Sequence, residues 1–136
     1  VRLKYRLIPT LQCSGVQMAS YEYPKLQPLP LGKWGQVRRW VLLEDWQYRG
    51  FVVPKGFITD GASVPRILYW LFEPTGILFI PAILHDYFYA TKSVSRADAD
   101  RIFRGNVIKE GCWLAGWLAW IGVRLFGWIP WKLKRR

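Results

Sequence analysis

Residues 56–66 read GFITDGASVPR and, after an apolar linker, residues 82–89 read AILHDYFY. Between these two runs the chain changes from strand-like to helix-like patterning, and that change sets the fold class. Asp60-Gly61-Ala62-Ser63 is a turn by composition, because turns select glycine and short polar side chains. Ser63 is placed to cap a helix whose first turn accepts Pro65. Pro74-Thr75-Gly76 breaks the chain again. Residues 77–90 then resume as helix, with Pro81 near its start, where a missing N–H costs least.

Toward the N-terminus, β-branched and aromatic residues from Trp34 to Ile58 are interrupted by Glu44-Asp45, Arg49-Gly50 and Pro54-Lys55-Gly56. This predicts two or three short antiparallel strands near 36–43, 46–53 and 56–59. Pro54 belongs at a strand end or edge, since it has no N–H for a ladder. Residues 1–33, with Pro9, Pro24, Pro28 and Pro30, read as an extended, polyproline-like arm that wraps over the domain or reaches a neighbour.

Toward the C-terminus, Ser95-Arg96-Ala97-Asp98 has the form of a capping box with Asp in place of Glu, and it opens a helix through Ile108. Ala99, Ile102, Phe103 and Val107 give that helix one buried face. Residues 91–94 are a short link, so the helices at 77–90 and 95–108 pair as an antiparallel hairpin. Gly111 precedes a last helix near 112–126, and Gly127, Pro130 and a basic end close the chain. The expectation is a small α+β domain over 34–136: a short antiparallel sheet, then a helical half, with the arm at 1–33.

At 136 residues, 51% hydrophobic and 21% charged, the chain is one domain able to build a core rather than a disordered segment. A net charge of +11 suits anionic neighbours, either nucleic acid or an anionic membrane surface, and equally a generic basic face, because charge alone names no partner. Cys13 and Cys112 lack metal-type or CxxC spacing and read as buried thiols, with one disulfide as the alternative. The first residues, VRLKYRLIPT, have no apolar signal-peptide core, which implies synthesis in a cytoplasm.

Five of the nine tryptophans stand at 113, 117, 120, 128 and 131. The run CWLAGWLAWIGV holds 12 residues without a charge before Arg124. A spanning helix needs about 20 apolar residues. This one therefore suits a core, a subunit interface or a membrane surface, and spans only if Arg124 snorkels.

Chemistry concentrates around His85, the single histidine. On a helix His85 and Tyr89 share a face, while Asp86 turns about 100° away. Across the hairpin Asp100 falls opposite His85, whereas Asp98 is committed to the cap. An Asp100–His85 pair is the arrangement that orients an imidazole and raises its basicity. Two readings follow. In one, His85 is a general base, Asp100 and Tyr89 complete the catalytic set, and Asp60 and Asp86 hold a hard cation such as calcium or magnesium. In the other, the same groups bond to one another inside the fold and no cofactor is needed.

His85-Asp86-x-x-Tyr89 resembles the His-Asp-x-Cys-Tyr helix of phospholipase A2, where the His is the base and the Asp binds calcium. Phe88 stands where that family has Cys, and its calcium loop and disulfides have no counterpart here. A broader likeness covers residues 50–127. VPKGFITDGASVPR, AILHDYFY, SRADADRIF and VRLFG, in that order, resemble a family of small uncharacterised proteins of phages and prophages. The matching residues are Gly56, Phe57, Asp60, Gly61, Ser63, Pro65, His85, Asp86, Asp98 and Phe103. That resemblance implies a phage origin and no established activity; the expectation placed on it is a virion-associated structural protein of a tail, neck or minor capsid, making contacts through the Trp-rich helix and basic tail. Its partners would be other virion proteins, a second copy, or a membrane surface. The competing expectation is a small metal-dependent hydrolase acting on host envelope lipid or cell wall. A third is an accessory protein that holds nucleic acid through its charge.

Overall fold

The computed structural model describes residues 21–30, 39–60, 78–110 and 113–133. Five short strands come first: β1 (Leu26–Pro28), β2 (Trp40–Leu42), β3 (Trp46–Tyr48), β4 (Phe51–Val53) and β5 (Ile58–Thr59). Four helices follow: α1 (Phe79–Thr91), α2 (Arg96–Glu110), α3 (Trp113–Phe126) and α4 (Trp128–Leu133). The fold is α+β, as the change of patterning predicts.

The strands form two antiparallel sheets rather than one. β2 is the centre of a three-stranded sheet in the order β1-β2-β5, with Leu26 opposite Leu42 and Trp40 opposite Thr59. Of the arm expected at 1–33, residues 21–30 are described, and in them β1 is an edge strand of the sheet, with Pro28 at its end, where no ladder N–H is required. The expected strand at 46–53 is instead the hairpin β3–β4, with Tyr48 opposite Phe51. Its two-residue loop is Arg49-Gly50, at φ 46° and 85°. Positive φ at both positions is the primed geometry that matches strand twist, so the Arg-Gly signal divides the run.

Trp46 and Tyr48 point to the core while Gln47 faces solvent, the two-residue alternation of a half-buried strand. With Leu42, Val53 and Phe57 they pack on Ile83, Leu84, Phe88 and Tyr89 of α1. A second cluster, Leu78, Ala82, Phe103, Val107, Ala115 and Ala119, joins α1, α2 and α3. α1 lies between both clusters, which explains why it is apolar almost all round.

Helix ends follow their sequence signals. Pro81 is the third residue of α1, within the turn whose N–H groups have no helical partner. Lys92, at φ 55°, ends α1 in the left-handed conformation and returns its N–H to the Phe88 carbonyl at 2.9 Å. At the start of α2 the Asp98 N–H donates to Ser95 Oγ at 3.1 Å, and Ser95 Oγ donates to Asp98 Oδ2 at 2.7 Å. The capping role read for Asp98 is met.

α3 approaches α2 closely because its inner face is small. A Cβ added at Gly116 would fall 2.3 Å from Ile108 Cγ1. Gly127 lets the chain turn onto α1, since a Cβ there would lie 2.6 Å from the Tyr89 hydroxyl. The chain then forms α4 instead of simply closing, with Pro130 tolerated in its first turn. The helix start expected at Ser63, both cysteines and the basic end at 134–136 lie outside the described residues. Among the described residues, no helix is long and apolar enough to cross a membrane.

Candidate functional site

The α1–α2 hairpin brings His85, Tyr89 and Asp100 together. His85 Nε2 lies 2.8 Å from Asp100 Oδ1, and the Tyr89 hydroxyl donates to the same oxygen at 2.6 Å. The other oxygen, Oδ2, accepts from Arg124 Nη1 at 3.1 Å and faces Arg96 Nε at 3.9 Å. Arg96 also donates through Nη2 to the carbonyls of Val123 and Arg124, at 3.2 and 2.8 Å. These are among the last carbonyls of α3, where the dipole favours a cation, and the Val123 carbonyl also accepts from the Gly127 N–H at 2.8 Å. Trp131 of α4 stands edge-on to Tyr89 at 5.0 Å, and Lys92 Nζ donates to the Tyr89 and Trp131 carbonyls. Elements α1, α2 and α3 therefore meet at one carboxylate, and α4 packs beside it on Tyr89.

That carboxylate is fully buried. Burial alone would push the Asp100 pKa up. The hydrogen bonds from His85 and Tyr89, the His85 charge and the Arg124 bond outweigh it and hold the group below its ordinary value. The Tyr89 phenol is pushed up, first by burial and then by its bond to Asp100, and stays a donor. The His85 side chain is only 10% exposed, its ring packed 4.2 Å from Tyr89 and 4.7 Å from Phe103.

Two guanidinium groups compensate the Asp100 charge. With the acid fully buried and the imidazole only 10% exposed, the arrangement is suited to joining helices. Asp86, on another face of α1, accepts from Thr59 Oγ1 at 2.7 Å and links the helix to β5. Asp60 follows directly and is half-buried. Among the described residues, no group of three or more His, Cys, Asp or Glu side chains is arranged to hold a metal ion.

Sequence reasoning passed over a second, partly buried acid that gathers a cluster. Glu110, the last residue of α2, accepts from the Tyr21 hydroxyl at 2.8 Å, the Tyr48 hydroxyl at 3.0 Å and Arg49 Nη2 at 3.1 Å. Burial, then Glu110, pushes the Tyr21 phenol up, and burial is also the main reason the Tyr48 phenol rises. One signal was present: a carboxylate at a helix C-terminus is disfavoured by the dipole and calls for donors from elsewhere. Next to this cluster lies an open recess of about 680 Å³ lined by Tyr21, Lys25, Glu44, Trp46, Tyr48 and Arg49, on the sheet side.

Fold and site define a class: a small α+β domain with two polar joints, each gathered on one carboxylate, and a Trp-rich helical end. Within that class, the chain belongs to the family described as "Protein of unknown function (DUF1353)", whose sequence profile matches residues 37–123. No curated protein and no solved structure matches the chain. The matched segment contains His85, Tyr89, Arg96, Asp100 and Glu110 and stops one residue before Arg124.

Proposed function

We propose that the protein is a non-catalytic contact component of a phage particle, of the tail, neck or minor capsid kind, with the outer face of α3 and α4 as its working surface. The observation carrying this reading is the saturated state of Asp100. Both oxygens are engaged, the charge is compensated by Arg124 and Arg96, and the partner imidazole is nearly buried. A general base needs a cleft and an open nitrogen; this pair has the surroundings of a joint. The phage assignment rests on the resemblance of the ordered motifs at 53–127.

One observation favours the hydrolase reading: the 2.8 Å His85–Asp100 contact has the geometry that orients an imidazole. The burial of the pair weighs against it, with the His85 side chain at 10% exposure and Asp100 at 0%, because a general base needs access to its substrate.

Mass spectrometry of purified particles tests the structural role. A fixed number of copies per particle is expected; its absence from intact particles would overturn the role. A parallel assay on phospholipid and cell wall is expected to release no product with wild-type protein. Release that disappears in folded His85→Ala would establish the hydrolase instead.

A further inference from the structure

Apart from Arg124, α3 is built of apolar residues and glycine, and among the described residues one side of it is covered. Ala115, Gly116 and Ala119 face α2. The opposite side is open to solvent, with Trp113 at 66% exposure, Ile121 at 46% and Leu125 at 61%. α4 extends the same character through Trp128 at 49% and Leu133 at 77%. An uninterrupted apolar face of this kind marks an interaction surface rather than ordinary exterior.

The charge around the face is of one sign. Residues 111–136 contain five Lys or Arg and no Asp or Glu. Arg104 lies over the rings of Trp117 and Trp120 at 4.4 and 5.2 Å, and Lys132 lies 5.4 Å from the Trp128 ring. Cations beside indoles at the rim of an aliphatic stripe match the layered chemistry of a bilayer interface: anionic headgroups above, acyl chains below. Each Lys or Arg near such a surface adds attraction that falls off within about 8 Å at physiological salt.

We propose that the outer face of α3 and α4 docks on an anionic phospholipid bilayer, lying in the interface and not crossing it. At 14 residues, α3 is about 21 Å long, against a hydrocarbon core of about 30 Å. A second copy is the weaker occupant, because it would bring another +11 chain against this one, whereas an anionic surface attracts it. The proposal rests on reading this face as the working surface, and it is independent of the phage assignment.

The test is co-sedimentation of the full chain with phosphatidylglycerol–phosphatidylcholine vesicles and with pure phosphatidylcholine vesicles. Binding is expected to the anionic vesicles, to fall as salt is raised, and to shift Trp fluorescence to the blue. Ile121→Glu/Leu125→Glu changes two exposed side chains, and circular dichroism checks that it folds. Its binding is expected to weaken by about ten-fold or more. No binding to anionic vesicles, equal binding to both compositions, or unchanged binding by the folded variant would each overturn the proposal. A dimer in sedimentation equilibrium that the same variant splits would also overturn it, naming a second copy as occupant while leaving the contact role intact. Absence from purified particles, by contrast, would remove the virion role and leave lipid docking standing.

Discussion

Asp100 and Glu110 stand ten positions apart on one helix, and each anchors the same kind of cluster. Asp100 gathers an imidazole, a phenol and two guanidinium groups from the helical half. Glu110 gathers two phenols and one guanidinium from the N-terminal segment and the β3–β4 hairpin. One fastens helices to helices; the other fastens the sheet side to the end of α2. They differ in depth, with the Asp100 side chain at 0% exposure and Glu110 at 12%. A histidine among its partners makes the first look catalytic. The second has the same bonding logic without one, which shows that such a cluster is how this small fold joins its parts.

The largest effect should come from Asp100→Ala, which leaves two guanidinium groups near an empty position. Breaking a buried pair from one side costs about 3–5 kcal/mol. Chemical denaturation measures it, with Asp100→Asn as the milder variant should Ala prevent folding. Glu110→Ala should cost less, about 1–3 kcal/mol, because water reaches Arg49 once the carboxylate is gone. Equal costs at the two positions would erase the contrast in depth.

Acid pH reads the Asp100 joint, whereas the alkaline limb is shared, since Tyr89 is raised as well as Tyr48 and Tyr21. The folded-state pKa of Asp100 lies below its ordinary 3.8, so its stabilisation is present above that value and is lost as pH falls through it toward the lower folded value. Asp100→Asn should flatten the acid limb of stability against pH. Tyr48 and Tyr21 lie above their ordinary 10.0, so their stabilisation holds below that pH and is lost as pH rises through the higher folded values. Tyr48→Phe should flatten the alkaline limb and leave the acid limb unchanged. Smallest of all, Ser95→Ala removes the cap of α2, which carries both acids, for about 1 kcal/mol in thermal or urea unfolding.

The contrast also marks how much was legible beforehand. His85, Tyr89 and Asp100 sit within 16 residues on two helices joined by a short link, so helical spacing alone places them together. Glu110 meets Tyr48 across 62 residues and Tyr21 across 89. No local period carries that information; only the packing of the sheet side on α2 does. The same holds for Arg124, which reaches Asp100 from a helix whose apolar run gave no hint of a polar inward contact. The capping box, the Arg-Gly turn and the apolar faces of α1 and α2 were readable because each is a short-range preference. β1 was hidden because a proline-rich strand at a sheet edge has the composition of an unpaired arm. α4 was hidden because Gly127 and Pro130 signal a helix end as well as a helix start.

The central claim is that the His85–Asp100 pair joins the fold. A double-mutant cycle of His85→Ala and Asp100→Asn in urea unfolding tests it most directly. Contacting residues in one buried network should show a coupling of about 1–3 kcal/mol. Additive changes, each under about 0.5 kcal/mol, would contradict a structural role and return the pair to the search for a reaction.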